Sequence, residues 1–199
     1  MRRMTTIAQL AAASEEERAA LPPRERILQT AYALFYRDGI RATGIDRVIA
    51  ESGVSKVTFY RQFPSKNDLI LAFLDLRHER WMVWFSDALQ RHAAKRQGLD
   101  ALVAALGEWF ASEDFRGCAF LNSVGELGHT LPEVLEVTRR HKADMARAIE
   151  LLLPAGAGRK QIAAAAVLAA DGAILHAQYE PGAQAALKQL TAIVHGLAA

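Results

Sequence analysis

The chain has 199 residues, 51% hydrophobic and 23% charged, with a formal net charge of +2 at pH 7. That length holds one large or two small domains with a real core, and that composition excludes intrinsic disorder. A charge so close to neutral excludes binding of nucleic acid by bulk charge, so any such function must rest on a local patch. The one cysteine, Cys118, cannot form a disulfide within the chain and fits a reducing cytoplasm, the expected location. The N-terminal MRRMTTIAQLAAASEEER is too weakly apolar for a signal peptide. The longest uninterrupted apolar run, Ile162–Ala170, is nine residues and is closed by Asp171, so no membrane span is expected.

Apolar residues recur at spacings of three and four along nearly the whole chain, which predicts an all-α protein. Ser14 and Glu17 fit the cap of a short helix in an N-terminal arm, residues 1–20, ahead of Pro22-Pro23. A helix is predicted from about Arg24 to Asp38, buried through Ile27, Leu28, Ala31, Leu34 and Phe35 and ended by Gly39. Thr43-Gly-Ile-Asp46 reads as a capping box for a short helix with Ile45, Val48 and Ile49 inward, stopped by Gly53. Ser55 caps the next short helix, to about Phe63. Ser65-Lys-Asn-Asp68 opens a longer one. Two short helices around a turn at Gly53 predict a helix-turn-helix at about 44–63. Further helices are predicted over 78–92, 99–112, 119–127, 132–153, 159–178 and 183–197.

On a helical wheel, Phe59 and Phe63 lie within about 40° of each other and should face the core. Val57 and Arg61 then point away from it, flanked by Thr58 and Tyr60, with Lys56 in the first turn. A cation, a hydroxyl, a phenol and a guanidinium are phosphate-binding groups, and a small apolar side chain suits a thymine methyl. Lys66 opens the following helix, where it opposes the helix dipole unless a phosphate sits there. Residues 24–80 hold only 10 basic against 7 acidic side chains. The reading therefore rests on the arrangement, not on the count.

The stretch TGIDRVIAESGVSKVTFYRQFPSKNDL, preceded by RERILQTAYALFYRDG, resembles the DNA-binding domain of the TetR/AcrR family of transcriptional regulators. The resemblance covers about residues 21–81. It implies a three-helix DNA-reading head, a larger helical ligand-binding and dimerisation body over 82–199, and repression of a palindromic operator relieved by a small molecule. It makes Ser55–Phe63 the recognition helix, with Thr58, Tyr60 and Lys66 on phosphate. The residues expected to touch DNA are Thr43, Gly44, Ser55, Lys56, Val57, Thr58, Tyr60, Arg61 and Lys66. Val57 stands where the family often has glycine, and Gln62 where histidine is common, so the operator cannot be carried over from a relative. FRGCAFLNSVGELG, with His141-Lys142 further on, resembles a body type found in part of the family and implies no particular ligand.

Between Gln161 and Ala199 only Asp171, Glu180 and Lys188 are charged. Helix 159–178 is apolar on every side and must be buried on every side. This predicts a homodimer through an intermolecular four-helix bundle, with Ile162, Ala166, Ala169, Ala173, Leu187, Leu190 and Val194 at the interface. The expected effector is mostly apolar, in a pocket between body helices. Its candidate lining is Trp81, Trp84, Phe85, Trp109, Phe110, Cys118, Phe120, Asn122, Glu126, His141, Met145 and His176, although core packing explains most of these equally well. Asn122 and Glu126 fit either pocket hydrogen bonds or the tying of a helix to a loop. No cofactor or metal is expected, since no phosphate loop or metal-ligand spacing occurs. The alternatives are a helical enzyme, with Cys118 and His129 or His141 as nucleophile and base, and a protein-interaction module.

Overall fold

The protein is described here by a computed structural model covering residues 20–198. The expected arm and its Ser14–Glu17 cap lie almost wholly outside the described residues. Those residues form nine α-helices and no strand. They are α1 (Pro23–Asp38), α2 (Ile45–Ser52), α3 (Lys56–Gln62), α4 (Lys66–Ala93), α5 (Asp100–Phe110), α6 (Ala119–Leu127), α7 (Glu133–Glu150), α8 (Arg159–Tyr179) and α9 (Gln184–Ala198). The all-α expectation holds. The helix expected separately over 78–92 is instead the second half of the 28-residue α4. Nothing between Lys66 and Ala93 breaks a helix, so only the buried stripe changes along it.

The helices form two compact units, residues up to Glu79 with 119–137, and residues 80–118 with 138 onward. Segment 119–137, read from the sequence as part of the body, thus clusters with the first unit. In that unit Pro23 begins α1, where its missing N–H costs nothing, and Gly39 ends it at φ 88°. Ile27, Ala31, Leu34 and Phe35 of α1 are buried with Val48, Phe59, Phe63, Leu69, Phe73 and Leu74. Phe73 meets Tyr32 and Phe35 edge-on, with ring centroids 5.7 and 5.5 Å away. Arg77 is buried without being stranded. Its Nη1 donates to Tyr32 Oη at 2.7 Å, and its guanidinium lies 4.0 Å from the Tyr36 ring centroid.

In the second unit α8 packs on α9, and both pack on α5. Ala163, Ala166, Ala170 and Ala173 are buried on α8, and Ala186, Leu190 and Val194 on α9. Alanines at these positions allow close helix approach. Lys142 of α7 donates to Asp171 of α8 at 2.5 Å, with both side chains mostly buried. By length and composition α8 meets what a bilayer crossing needs, which corrects the expectation that no segment does. Asp171 closes the uninterrupted apolar run, whereas an average over the helix tolerates one acid. Here that acid is neutralised by Lys142 within the unit.

Candidate nucleic-acid interface

The site grows from the helix pair α2–α3. Gly53 ends α2 in the left-handed region at φ 63°, a conformation that glycine adopts without strain. Ser55 then caps α3. Its Oγ accepts the Thr58 N–H at 3.1 Å and donates to Thr58 Oγ1 at 2.9 Å. Ser55→Ala is expected to lower stability by about 1 kcal/mol, measured by denaturant unfolding. Beneath the helix Phe59 is fully buried and Phe63 nearly so, and Arg24 lies over the Phe63 ring at 4.8 Å. The opposite face carries Val57, 78% exposed, Tyr60, 41% exposed, and Arg61, also exposed. A valine so exposed on a helix whose other face is core is not explained by packing. Arg61 makes no hydrogen bond or ion pair among the described residues, whereas Lys56 sits 3.6 Å from Asp46 at the start of α2.

Three expectations change. Thr43 does not cap α2. Gly44 is the N-cap and makes no side-chain cap bond, while Thr43 is fully buried with its Oγ1 donating to the Gly39 carbonyl at 2.8 Å. Thr43 therefore has no access to DNA, whereas Gly44 is exposed. Lys66 is half-buried, with Nζ donating to the Ile40 carbonyl at 2.6 Å and 5.9 Å from the Phe35 ring centroid. Burial pulls its pKa below the usual lysine value, and the Glu126 carboxylate partly opposes this. It is tied into the unit and does not reach out from it. Ser65 caps α4 as expected, accepting the Asp68 N–H at 3.2 Å and donating to Asp68 Oδ2 at 2.6 Å.

The expected pocket residues are divided between the two units. Phe120, Asn122 and Glu126 belong to the segment that clusters with the first unit. Glu126 ties a helix to a loop, for its carboxylate accepts the N–H groups of Ile40 and Arg41. His176 is exposed and lies beside Tyr179 on the outside of α8. Trp81, Trp84, Phe85, Trp109 and Phe110 pack on one another, with Trp81 stacked on Phe85 at 4.4 Å and His141 edge-on to Trp81 at 5.0 Å. They form an aromatic core. Cys118 is buried with Lys142 Nζ 3.4 Å away, and Met145 is buried beside the same ammonium at 3.7 Å. A shallow groove of about 290 Å³ lies elsewhere, lined by Arg96, Asp100, Val103, Ala104, Gly107 and Leu187. Among the described residues no cluster of histidine, cysteine and acidic side chains could hold a metal.

The expected interface residues also divide. Ala166, Ala173, Leu190 and Val194 are buried within their own chain, and Ile162, Ala169 and Leu187 are half-buried. The apolar face left open on α8 is instead Ala164, Leu168, Leu175 and Tyr179, with Leu168 76% exposed and Tyr179 61% exposed. Ile193 of α9 is exposed as well.

Residues 27–73, which run from α1 through the first turns of α4, match the sequence profile of bacterial regulatory proteins, tetR family. This segment resembles the DNA-binding region of the TetR family. A TetR regulator from Streptomyces avermitilis superposes on it with a TM-score of 0.72 and 27% identity, covering 88% of this chain and 98% of that one. A TetR-family regulator from Streptomyces coelicolor does so with a TM-score of 0.68 and 27% identity, covering 89% and 96%. Among curated relatives, the transcriptional activator FasR of Mycolicibacterium smegmatis is 33% identical over 94 residues, 47% of this chain and 42% of its own length. The chain thus spans less than half of that relative. These relatives are named as regulators and not as enzymes.

Proposed function

We propose that this chain is a TetR-family DNA-binding transcriptional repressor, acting in the cytoplasm as a homodimer on a palindromic operator and released by a small, mostly apolar effector. The observation that carries the reading is the outward face of α3, where Val57, Tyr60 and Arg61 stand clear of a helix anchored by Phe59 and Phe63. An α-helix fits the major groove of B-DNA, and this face offers one apolar group and one unpaired guanidinium to base edges. Tyr60, Thr58, Lys56 and the backbone at Gly44 and Ser55 would bind phosphate and fix the register. Thr43 and Lys66 drop out of this set as direct contacts. Lys66 supports the turn from inside.

A TetR-family dimer would present two such helices, and a palindrome mirrors that two-fold symmetry. The effector would act by preferring a body conformation in which the two heads no longer match successive grooves. Base-reading and phosphate-binding residues are expected to separate by experiment. Arg61→Ala and Val57→Ala should each change which bases are preferred, at about 1–3 kcal/mol per lost contact. Tyr60→Phe should weaken binding to every sequence alike. Affinity measured on a panel of single-base operator variants checks this. Uniform weakening by Arg61→Ala would remove it from base readout.

A further inference from the structure

We propose that Glu126 is a positioning residue for the DNA-reading helices, contributed from far outside their own stretch of sequence. The turn that leads from α1 into α2 is gripped from three sides around Ile40. The Glu126 carboxylate accepts the Ile40 N–H at 3.3 Å and the Arg41 N–H at 2.7 Å. Lys66 Nζ donates to the carbonyl of the same Ile40 at 2.6 Å. Thr43 Oγ1, buried, donates to the Gly39 carbonyl at 2.8 Å. A Cβ at Gly39 would lie in ordinary contact with the clasp, 3.5 Å from Glu126 Oε1.

A carboxylate that takes two consecutive backbone N–H groups forms a charge-assisted, two-point grip that a neutral side chain cannot reproduce. The gripped turn carries Gly44, the N-cap of α2, so it fixes where α2 starts and how α3 is presented. Nothing in the stretch 43–69 supplies these bonds. The acceptor comes from a residue 85 and 86 positions away, on α6. This inference rests on the DNA-binding reading for its consequence, but not for the clasp itself.

The test is Glu126→Gln, which keeps the shape and one acceptor but turns an amide N–H₂ toward the second backbone N–H. Glu126→Ala serves as the stronger variant, and both are compared with the unmodified full chain by amide hydrogen exchange and by DNA binding. Exchange at Ile40 and Arg41 should rise, and that rise should spread to the amides of α2 and α3. Affinity for the selected operator should fall roughly tenfold, as for loss of a hydrogen bond to a charged group. Affinity for random-sequence DNA and its salt dependence should stay unchanged. A purely structural residue would lower both affinities together, so equal losses overturn the proposal, as does unchanged exchange at Ile40 and Arg41. If the unmodified protein selects no DNA sequence, the functional reading fails separately. The clasp is then decided by exchange alone: spread into α2 and α3 supports it, and confinement to residues 40 and 41 overturns it.

Discussion

Leu168→Glu is expected to convert the proposed dimer, taken to form through the open face of α8, to monomer and to abolish operator binding while leaving the folded chain almost as stable as before. Leu168 is 76% exposed in the single chain, so a glutamate there meets water and should change monomer stability by no more than about 0.5 kcal/mol. In the proposed dimer the same position is covered. A two-fold interface places the substitution in both copies, and an unpaired buried carboxylate costs about 3–5 kcal/mol. Leu190→Glu makes the contrast. Leu190 is 1% exposed within its own chain, so its substitution should disrupt the packing of α8 on α9 whatever the oligomeric state. Sedimentation velocity and thermal unfolding on both variants separate the two effects. A Leu168→Glu protein that sediments as a dimer would place the interface elsewhere.

Lys142→Met is expected to destabilise the second unit by about 3–5 kcal/mol at neutral pH, because it strands Asp171 in the interior. Both side chains of the pair are mostly buried, at 15% and 19% exposed. Replacing both partners, as Lys142→Met with Asp171→Asn, should recover most of the loss, since the expensive species is the lone charge. The pH dependence has a definite sign. Burial holds the Asp171 carboxyl above the usual range even with Lys142 beside it, and removing the ammonium raises it further. A carboxyl raised in the folded state favours folding below its unfolded pKa, and this contribution is lost as pH rises through the folded value. The deficit of Lys142→Met should therefore shrink on acidification from pH 8 toward pH 5. Denaturant unfolding at both pH values measures it, and a deficit independent of pH would mean that Asp171 is not the stranded group.

The head was legible because its signals are local. Gly39, Gly53, Ser55 and Ser65 each act within a few residues, and the spacing of Phe59 and Phe63 alone phases α3, leaving Val57 and Arg61 outward. Contacts between distant residues were not legible. Thr43 has the right chemistry for a cap or a phosphate, but its hydroxyl is taken by Gly39. Lys66 and Glu126 look like a surface cation and a pocket acid until the fold sets both against Ile40.

The body failed for a different reason. A helix apolar on every side, such as α8, has no polar face from which to set its rotation. The sequence therefore implied that a partner was needed but could not distinguish the face turned to α9 from the face left open. The aromatic residues gave a similar ambiguity. Trp81, Trp109 and His141 suit a ligand wall as well as a core, and in the folded chain they pack on one another.

In the proposed mechanism the α3 face of a dimer reads DNA. The most direct measurement is selection of bound fragments from a random double-stranded DNA library by the unmodified full chain, repeated with Arg61→Ala. An enriched site with two-fold symmetry is expected, its half-sites about one helical turn apart, with altered half-site bases for the variant. A library that emerges with no enriched sequence, or an identical site for both proteins, would contradict that mechanism.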